Sequence, residues 1–116
     1  MLPAAHRLRA STDFTETIRR GRRASRSTLT VHLLAGDAAV PARAGLVVSK
    51  AVGGSVVRHQ VARRLRHQLQ ARIGALPHGS RLVVRATPPA GTASSATLGA
   101  DLTAALDAAL RKLAPA

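Results

Sequence analysis

The chain has 116 residues, enough for one domain with a modest core, and a formal net charge of +13 from 18 Lys and Arg against 5 Asp and Glu. This excess predicts an anionic partner, with nucleic acid ahead of an anionic membrane surface. The chain has one Phe, no Tyr and no Trp. A helix on a membrane surface is anchored by Trp, Phe or Leu, so the scarcity of aromatic residues disfavours a membrane partner. The same scarcity excludes the stacking of several bases that RRM-type sheets use.

The first part of the chain predicts a basic segment followed by a short helix. Residues 1–10 are expected to be loosely ordered. Residues 12–20 predict a helix on which Phe14 and Ile18 have i,i+4 spacing. Gly21 fits the position just after the last helical turn. Phe14 is either a core anchor or a wall of a groove for extended nucleic acid.

Two predicted strands come next. The basic run 22–26 is expected to be a connecting segment. Residues 28–34 alternate in polarity, so Leu29, Val31 and Leu33 share one side of a strand, and Thr30 and His32 share the other. His32 is either a structural residue or a ligand-binding one. Residues 43–49 are almost continuously apolar, which predicts a strand in the centre of the sheet, about a hairpin's length from the first.

A long basic helix then follows a turn at Gly53 and Gly54, with Ser55 as its expected N-cap. One face carries an apolar stripe of Val57, Val61, Leu65 and Leu69. The helix also carries Arg58, Arg63, Arg64, Arg66 and Arg72, with His59 and His67 and no acidic residue. An ordinary solvated basic face usually includes Glu or Asp partners at i,i+4. Their absence favours an anion-binding face.

The last part of the chain predicts a strand, a loop and a packing helix. The strand covers 81–86, and the low-complexity run 87–97 is expected to be a surface loop. Ser94 or Ser95 then caps a helix with an apolar stripe of Leu98, Leu102, Leu106, Leu110 and Leu113. The whole chain is therefore predicted to be a single α+β domain with one sheet, covering residues 1–116.

No catalytic constellation is present in the sequence. The five carboxylates do not cluster, and His59 and His67 point about 80° apart around their helix, so they do not converge on a metal. There is no cysteine for a disulfide or a thiolate site. No signal peptide or membrane-spanning stretch is recognisable, which predicts a cytoplasmic protein without a membrane partner.

Several stretches together resemble the bacterial ribonuclease P protein subunit family. The run SKAVGGSVVRHQVARRLR is similar to the family signature, a Lys and a Gly turn followed by an Arg-rich helix. RLRASTDFTETIRRG, GLVVSK and LVVRATPPA resemble other family segments in the same order. The resemblance implies the element order αβββαβα, one mixed four-stranded sheet with three helices, and a left-handed βαβ crossover.

The resemblance also implies a function. The family's protein assists a catalytic RNA that removes the 5′ leader from precursor tRNA, so the implied partners are ribonuclease P RNA and precursor tRNA. The implied cofactor is Mg²⁺, held mainly by the RNA and not tightly by this chain. No residue of this chain is implied to be catalytic, and no obligate protein partner is evident. The alternative from another class is a basic assembly protein, such as a small ribosomal protein.

Family positions transfer to this chain as two sets. Contacts to the RNA subunit are expected from Ser49, Lys50, Gly53, Arg58, His59, Arg63, Arg64, Arg66 and His67. The cleft for the leader is expected to involve Arg7, Phe14, Ile18, Thr30, His32, Arg58, Ala62 and Arg66.

The chain departs from the family pattern within both sets. His59 and Gln60 replace an Asn and an Arg, and Ala62 replaces a Lys. His32 and Ile18 stand where the family has aromatic residues. These changes predict normal binding of the RNA subunit with a weaker hold on the leader.

Overall fold

The computed structural model describes residues 2–113. In chain order the helices and strands are α1 (Ser11–Arg20), β1 (Arg22–Ser25), β2 (Leu29–Leu34), β3 (Arg43–Val47), α2 (Ser55–Gln70), β4 (Arg81–Ala86) and α3 (Ser95–Leu113). The strands form one mixed sheet in the order β1-β2-β4-β3, in which only β3 and β4 are parallel. The predicted α+β class, with three helices and a mixed four-stranded sheet, is confirmed. The left-handed crossover stays a prediction of the resemblance.

The two faces of the sheet have different coverings, as the alternation along β2 predicts. One face packs on α2 and α3, and α1 packs on the other against β2 and β4. The main core contains Leu29, Val31, Leu33, Leu82 and Val84 from the sheet and Val61, Leu65, Leu69, Leu98 and Leu102 from the two helices. Most residues of the two predicted apolar stripes are therefore buried, and the basic side of α2 faces outward.

The prediction that β3 is central is wrong, because β3 is an outer strand and β4 separates it from β2. Its apolar character has another cause. The Leu8 N–H donates to the Ala44 carbonyl at 2.9 Å, and Leu2 and Leu8 are buried. The N-terminal segment thus covers the free edge of β3, as exposed sheet edges commonly require. The expectation of loose order over residues 1–10 stays a prediction, and residue 1 lies outside the described range.

Residues Arg22–Ser25, predicted to be a connection, form the strand β1 instead. Only Ala24 of this strand is buried, against α3 and the core. A four-residue strand with exposed arginines carries almost no hydrophobic pattern. Its charges suit an outer strand, where they discourage pairing with other chains.

The helix ends differ from the predictions in detail. Gly21 ends α1 with a φ of −73°, and its lack of a side chain matters because a Cβ would lie 2.4 Å from the Thr17 carbonyl oxygen. Ser55 makes no capping hydrogen bond, since α2 begins at that residue and Gly54 precedes it. The Ser94 cap is confirmed by a 3.1 Å bond from the Thr97 N–H to Ser94 Oγ.

The expected surface loop 87–97 is more structured than its composition indicates. Pro88–Thr92 forms a short 3-10 helix, and Ala90 within it is fully buried. This helix packs against α2 and against the 3-10 turn Lys50–Val52 that precedes α2. The segment therefore helps to hold the start of the basic helix in place.

Candidate nucleic-acid interface

The outward side of α2 forms a broad basic surface. A shallow hollow along it is lined by Ser55, Val56, His59, Gln60, Arg63, Arg66 and His67. All seven are exposed, because the apolar stripe of α2 faces the core. Val56 is the most exposed large apolar residue in the described part of the chain, at 70%. It gives this basic surface an apolar element at the first helical turn.

Among residues 2–113, no carboxylate forms an ion pair with an arginine of the α2 surface. The four ion pairs found within residues 2–113 all involve Asp13 or Glu16 on α1, with Arg20, Arg43 or Arg81 as partners. The Asp101 carboxylate accepts from the Thr28 N–H and hydroxyl, at 3.1 and 2.5 Å. The arginines of α2 therefore lack acidic partners in the described tertiary structure, as they do along the sequence of the helix.

The carboxylates of α1 have a structural role instead. Arg81 of β4 donates to Asp13 Oδ1 at 3.1 Å and also bonds to Glu16, which fixes α1 on the sheet. The Arg81 guanidinium, with a smaller contribution from Arg20, holds the pKa of the Glu16 carboxyl below its usual value. The acidic residues therefore secure one face of the sheet and leave the α2 side to unpaired cations.

The turn before α2 adjoins the basic surface. Ser49 and Lys50 are exposed there, and Gly53 has a φ of 156°. A Cβ at Gly53 would lie 2.8 Å from Val57 Cγ1, so both backbone and space favour glycine. The unpaired N–H groups and positive dipole end at the start of α2 favour an anion in the same place as Lys50.

A groove runs between α2 and the outer edge of β3. Its first part is lined by Leu46, Val48, Ser55, Arg58, His59, Ala62 and Arg66. Its second part is lined by Leu2, Arg7, Leu8, Arg9, Phe14, Ala44, Gly45, Leu46 and Arg66. Leu46 and Arg66 line both parts, so the two parts adjoin. It combines an apolar floor with arginines at its rim, which suits an extended anionic chain.

The predicted leader cleft is divided by the structure. Arg7, Phe14, Arg58, Ala62 and Arg66 line the groove. Ile18, Thr30 and His32 do not line it. Ile18 is half-buried on α1, and Thr30 and His32 are buried on the α1 face of the sheet, at 8% and 3% exposure.

The environment of His32 is unusual. Neither ring nitrogen has a hydrogen-bond partner within the described residues, and both nitrogens are buried. Burial and the nearby positive charges of Arg85 and Arg23 lower the pKa of His32. The imidazole is therefore neutral at physiological pH, and its polar atoms are unused within the described chain.

Arg64 and Arg72 face away from the α2 surface. Arg64 Nη1 donates to the Ala93 carbonyl at 3.0 Å. Arg72 Nε donates to Thr103 Oγ1 at 2.9 Å, and its guanidinium also bonds to Gln68 and Gly99. Arg64 joins α2 to the segment before α3, so it does not lie with the other predicted RNA-binding residues. Arg72, predicted to be part of the helix, lies two residues after the end of α2 and bonds to both α2 and α3.

Sequence reasoning missed several residues of these surfaces. Leu46 and Val48 form the groove floor, and Arg9 lies at its rim. Arg85 could have been found from the alternation of β4, in which positions 81, 83 and 85 share a face. Arg23 gave no such signal, because its strand is too short to show a period.

The donor set does not fit a metal site. Among residues 2–113, no group of three His, Asp or Glu side chains converges as cation ligands. Within the same range, no helix is both long and apolar enough to cross a bilayer.

The sequence model of the family described as Ribonuclease P matches residues 2–110. A Ribonuclease P protein component from a Nocardioides species is 59% identical over 104 residues, covering 88% of this chain and 89% of the relative. One from Streptomyces bikiniensis is 56% identical over 114 residues, covering 91% and 93%. These matches confirm the resemblance seen in the helix signature and the strand motifs.

Solved structures agree at the level of the fold. The RNase P protein of Staphylococcus aureus superposes with a TM-score of 0.78 at 21% identity, covering 90% of this chain and 94% of its own. That of Thermotoga maritima gives a TM-score of 0.74 at 22% identity, covering 90% and 96%. With a family match across nearly its whole length and relatives above half identity, this chain belongs to the Ribonuclease P family.

Proposed function

We propose that this chain is the protein subunit of a ribonuclease P that removes the 5′ leader from precursor tRNA. The outward α2 surface and the turn at Ser49, Lys50 and Gly53 bind the RNA subunit. The groove along β3 binds the single-stranded leader. Catalysis belongs to the RNA, whose bound Mg²⁺ ions supply the hydrolytic chemistry.

The observation that carries this proposal is the lack of counter-charge on α2. Arg63 and Arg66 are exposed on the same side, and neither has an ion-pair partner in the described part of the chain. Arginine makes bidentate contacts to phosphate. Because these arginines have no intramolecular ion pair in the described chain, none has to be broken when they bind phosphate. A polyanion such as folded RNA is the partner that uses several of them together.

The groove supports the second half of the proposal. The Arg58 Nε is buried there without a partner in the described chain, so its donor is available to a ligand. Phe14 and Leu46 offer apolar surface at the second part of the groove. A single strand, whose phosphates and base faces are both accessible, matches this mixture better than a duplex does.

The deciding experiment is reconstitution of cleavage at low Mg²⁺ with a ribonuclease P RNA and precursor tRNA. The wild-type protein is expected to stimulate 5′ cleavage. Arg63→Ala should raise the protein concentration for half-maximal stimulation by a factor of about 10 to 100, since a hydrogen bond to a charged group contributes about 1.5–3 kcal/mol. Arg111→Ala is the matched control, because Arg111 is exposed on α3 and away from the α2 surface.

Two results would contradict the proposal in different ways. If the wild-type protein fails to stimulate cleavage, the proposed role in ribonuclease P is contradicted. If stimulation is equal for precursor tRNAs with long and very short leaders, the proposed binding of the leader in the groove is contradicted. The second result would match a basic assembly protein that only stabilises folded RNA.

A further inference from the structure

The strand β1 carries an arginine–serine pattern outside the two proposed RNA-binding regions. Residues 22–26 read Arg-Arg-Ala-Ser-Arg, so Ser25 has arginines two and three positions before it. No other Ser or Thr of the chain has arginines at both of these positions. Protein kinases select their substrates by charge patterns, and a kinase with acidic subsites before the acceptor favours this one. The sequence around Ser25 is therefore typical of a phosphorylation site.

Ser25 is accessible to an enzyme. It is exposed on an outer strand, together with Arg22 and Arg23. The segment is already extended, so a kinase has no helix to unwind there. Of the four residues of β1 only Ala24 is buried, so local opening of the strand exposes little of the core.

The contacts that hold β1 from outside the sheet are of a kind that can open. Lys112 of α3 donates to the Arg23 carbonyl, and Arg26 donates to the Ala104 carbonyl at 3.5 Å. The Ser25 hydroxyl itself is bonded to Thr30 Oγ1 at 2.9 Å. Each of these hydrogen bonds includes an exposed side chain, so each can break when the strand opens locally.

The fold also provides partners for a phosphate on Ser25. Ala24 points into the core, so Arg23 and Ser25 on either side of it point to the opposite face of the sheet. Thr30 of β2 pairs with Ser25 on one side and with Arg85 of β4 on the other. The odd-numbered positions of β4 face α1, so Arg85 lies on the same side of the sheet as Ser25.

Both arginines lie within reach of such a phosphate and are available to it. Adjacent strands lie about 4.8 Å apart, so the β1 and β4 backbones are about 10 Å apart across β2. A phosphoserine and an arginine side chain can close this gap together. Neither Arg23 nor Arg85 makes an ion pair within residues 2–113. Their charges contribute to the lowered pKa of His32, which shows how little negative charge surrounds them.

We propose that Ser25 is a phosphorylation site for an arginine-directed serine/threonine protein kinase, and that Arg23 and Arg85 hold the resulting phosphate. In the transfer, Ser25 Oγ bonds to the γ-phosphorus of ATP while the bond from that phosphorus to the β,γ-bridging oxygen breaks, which releases ADP. The catalytic carboxylate of the kinase accepts the hydroxyl proton. Phosphoserine carries about −1.5 to −2 charge at pH 7, so each modified chain loses part of the net charge of +13 that attracts RNA.

The competing explanation is that the arginines of β1 only protect an outer strand from pairing with other chains. That role needs no hydroxyl at position 25 and no cation at position 85. The two explanations therefore differ in whether Ser25 accepts a phosphoryl group and in whether that group interacts with Arg85.

The first test measures phosphoryl transfer to the folded full-length protein. The probe is the catalytic subunit of cyclic-AMP-dependent protein kinase, an arginine-directed enzyme, with ATP, and mass spectrometry locates the product. Ser25 should be modified. Arg22→Ala should slow transfer by a factor of about 10 to 100, since one hydrogen bond to a charged group is lost.

Ser27 provides the matched control for this test, because it is an exposed serine two residues further along the chain. Ser27→Ala should be modified at the wild-type rate, whereas Ser25→Ala should not be modified. Absence of transfer to the wild type, or equal transfer to Ser25→Ala, would overturn the site.

The second test measures the pKa of the phosphate in the modified protein by phosphorus NMR. The second pKa of phosphoserine is ordinarily about 6, and neighbouring guanidinium groups should lower it by about one unit, because they favour the dianion. Arg85→Ala should still be phosphorylated, since position 85 is distant in sequence, but the phosphate pKa should return towards its ordinary value. The same pKa in both proteins would overturn the role of Arg85.

The third test examines the protein isolated from growing and from stationary cells of its natural source. Phosphoserine at position 25 is expected in a fraction of the chains. Its absence from both preparations would overturn the assignment of Ser25 as a site that the cell uses. None of the three tests depends on ribonuclease P RNA or precursor tRNA, so their failure is distinct from failure of the proposed function.

Discussion

Phe14 of α1 lies so close over Gly45 of β3 that a Cβ at position 45 would stand 2.2 Å from the Phe14 Cζ. Phe14 is half-buried and lies outside the main hydrophobic core, so it is not the core anchor that was one of its two predicted roles. Its ring packs on the sheet backbone, and the same ring lines the groove beside Arg7 and Arg66. Gly45 allows this arrangement because it has no side chain to lift the ring.

We expect Gly45→Ala to destabilise the protein and weaken its hold on the leader. The added methyl group must displace the Phe14 ring, and overpacking of this kind costs about 1–3 kcal/mol. Chemical denaturation would give the free energy of unfolding, and leader binding can be measured with a labelled oligonucleotide. Gly74→Ala is the control, since a Cβ there meets nothing within 4 Å. At such a site alanine should be neutral or stabilise by about 0.4–1 kcal/mol.

Arg72→Ala should lower stability and leave RNA binding intact, the reverse of Arg63→Ala. Arg72, just after the end of α2, donates to Thr103 Oγ1 of α3 and to Gln68 of α2, so its loss removes a bridge between the two helices. The expected loss is about 1–3 kcal/mol, because partly buried acceptors lose a charged donor. Thermal unfolding and a filter-binding assay with ribonuclease P RNA separate the two effects. A stable Arg72→Ala protein that no longer binds RNA would reverse the assignment.

The Glu16–Arg81 contact should make stability depend on pH. Because the folded-state pKa of Glu16 is lowered, its contribution is present above the ordinary value of 4.5 and is lost as the pH falls towards the folded pKa. Melting temperatures measured across this acidic range should decline more steeply for the wild type than for Glu16→Gln. Parallel curves for the two proteins would show that the contact contributes nothing measurable.

Ala62→Lys should strengthen leader binding. Ala62 lies in the groove with Arg58 and Arg66, so a lysine there would add a cation to the phosphate path. One further phosphate contact should steepen the salt slope for a single strand by about 0.7. The measurement is holoenzyme affinity for precursor tRNA at several salt concentrations. The gain should vanish with a substrate that has no leader; a gain that persists would place the lysine on another part of the RNA.

An aromatic substitution at His32 would not be a clear second test of leader binding. The family resemblance implies that His32 replaces an aromatic residue of the leader cleft, but the side chain is only 3% exposed. A larger ring would have to displace its neighbours, so a change in leader binding could arise from overpacking alone.

The sequence by itself determined the class of the protein and the basic side of α2. Helical periodicity alone predicts that Val61, Leu65 and Leu69 face the core and that the basic side faces outward. The sequence also shows directly that the helix carries no acidic residue. The Ser94 cap and the β2 alternation are similarly local. Such features follow from contacts between residues close in sequence, which a pattern can represent.

Only the tertiary structure decided which strands are neighbours and which arginines remain available. The apolar sequence of β3 does not show which segment covers its free edge. The covering residue is Leu8, and its contact with Ala44 joins distant parts of the chain. Arg64 and Arg72 look like RNA-binding residues until the 3-10 segment and α3 supply their acceptors. The pairing of Arg23 with His32 likewise depends on sheet register, which hydrogen bonds between strands set and no single-strand pattern contains.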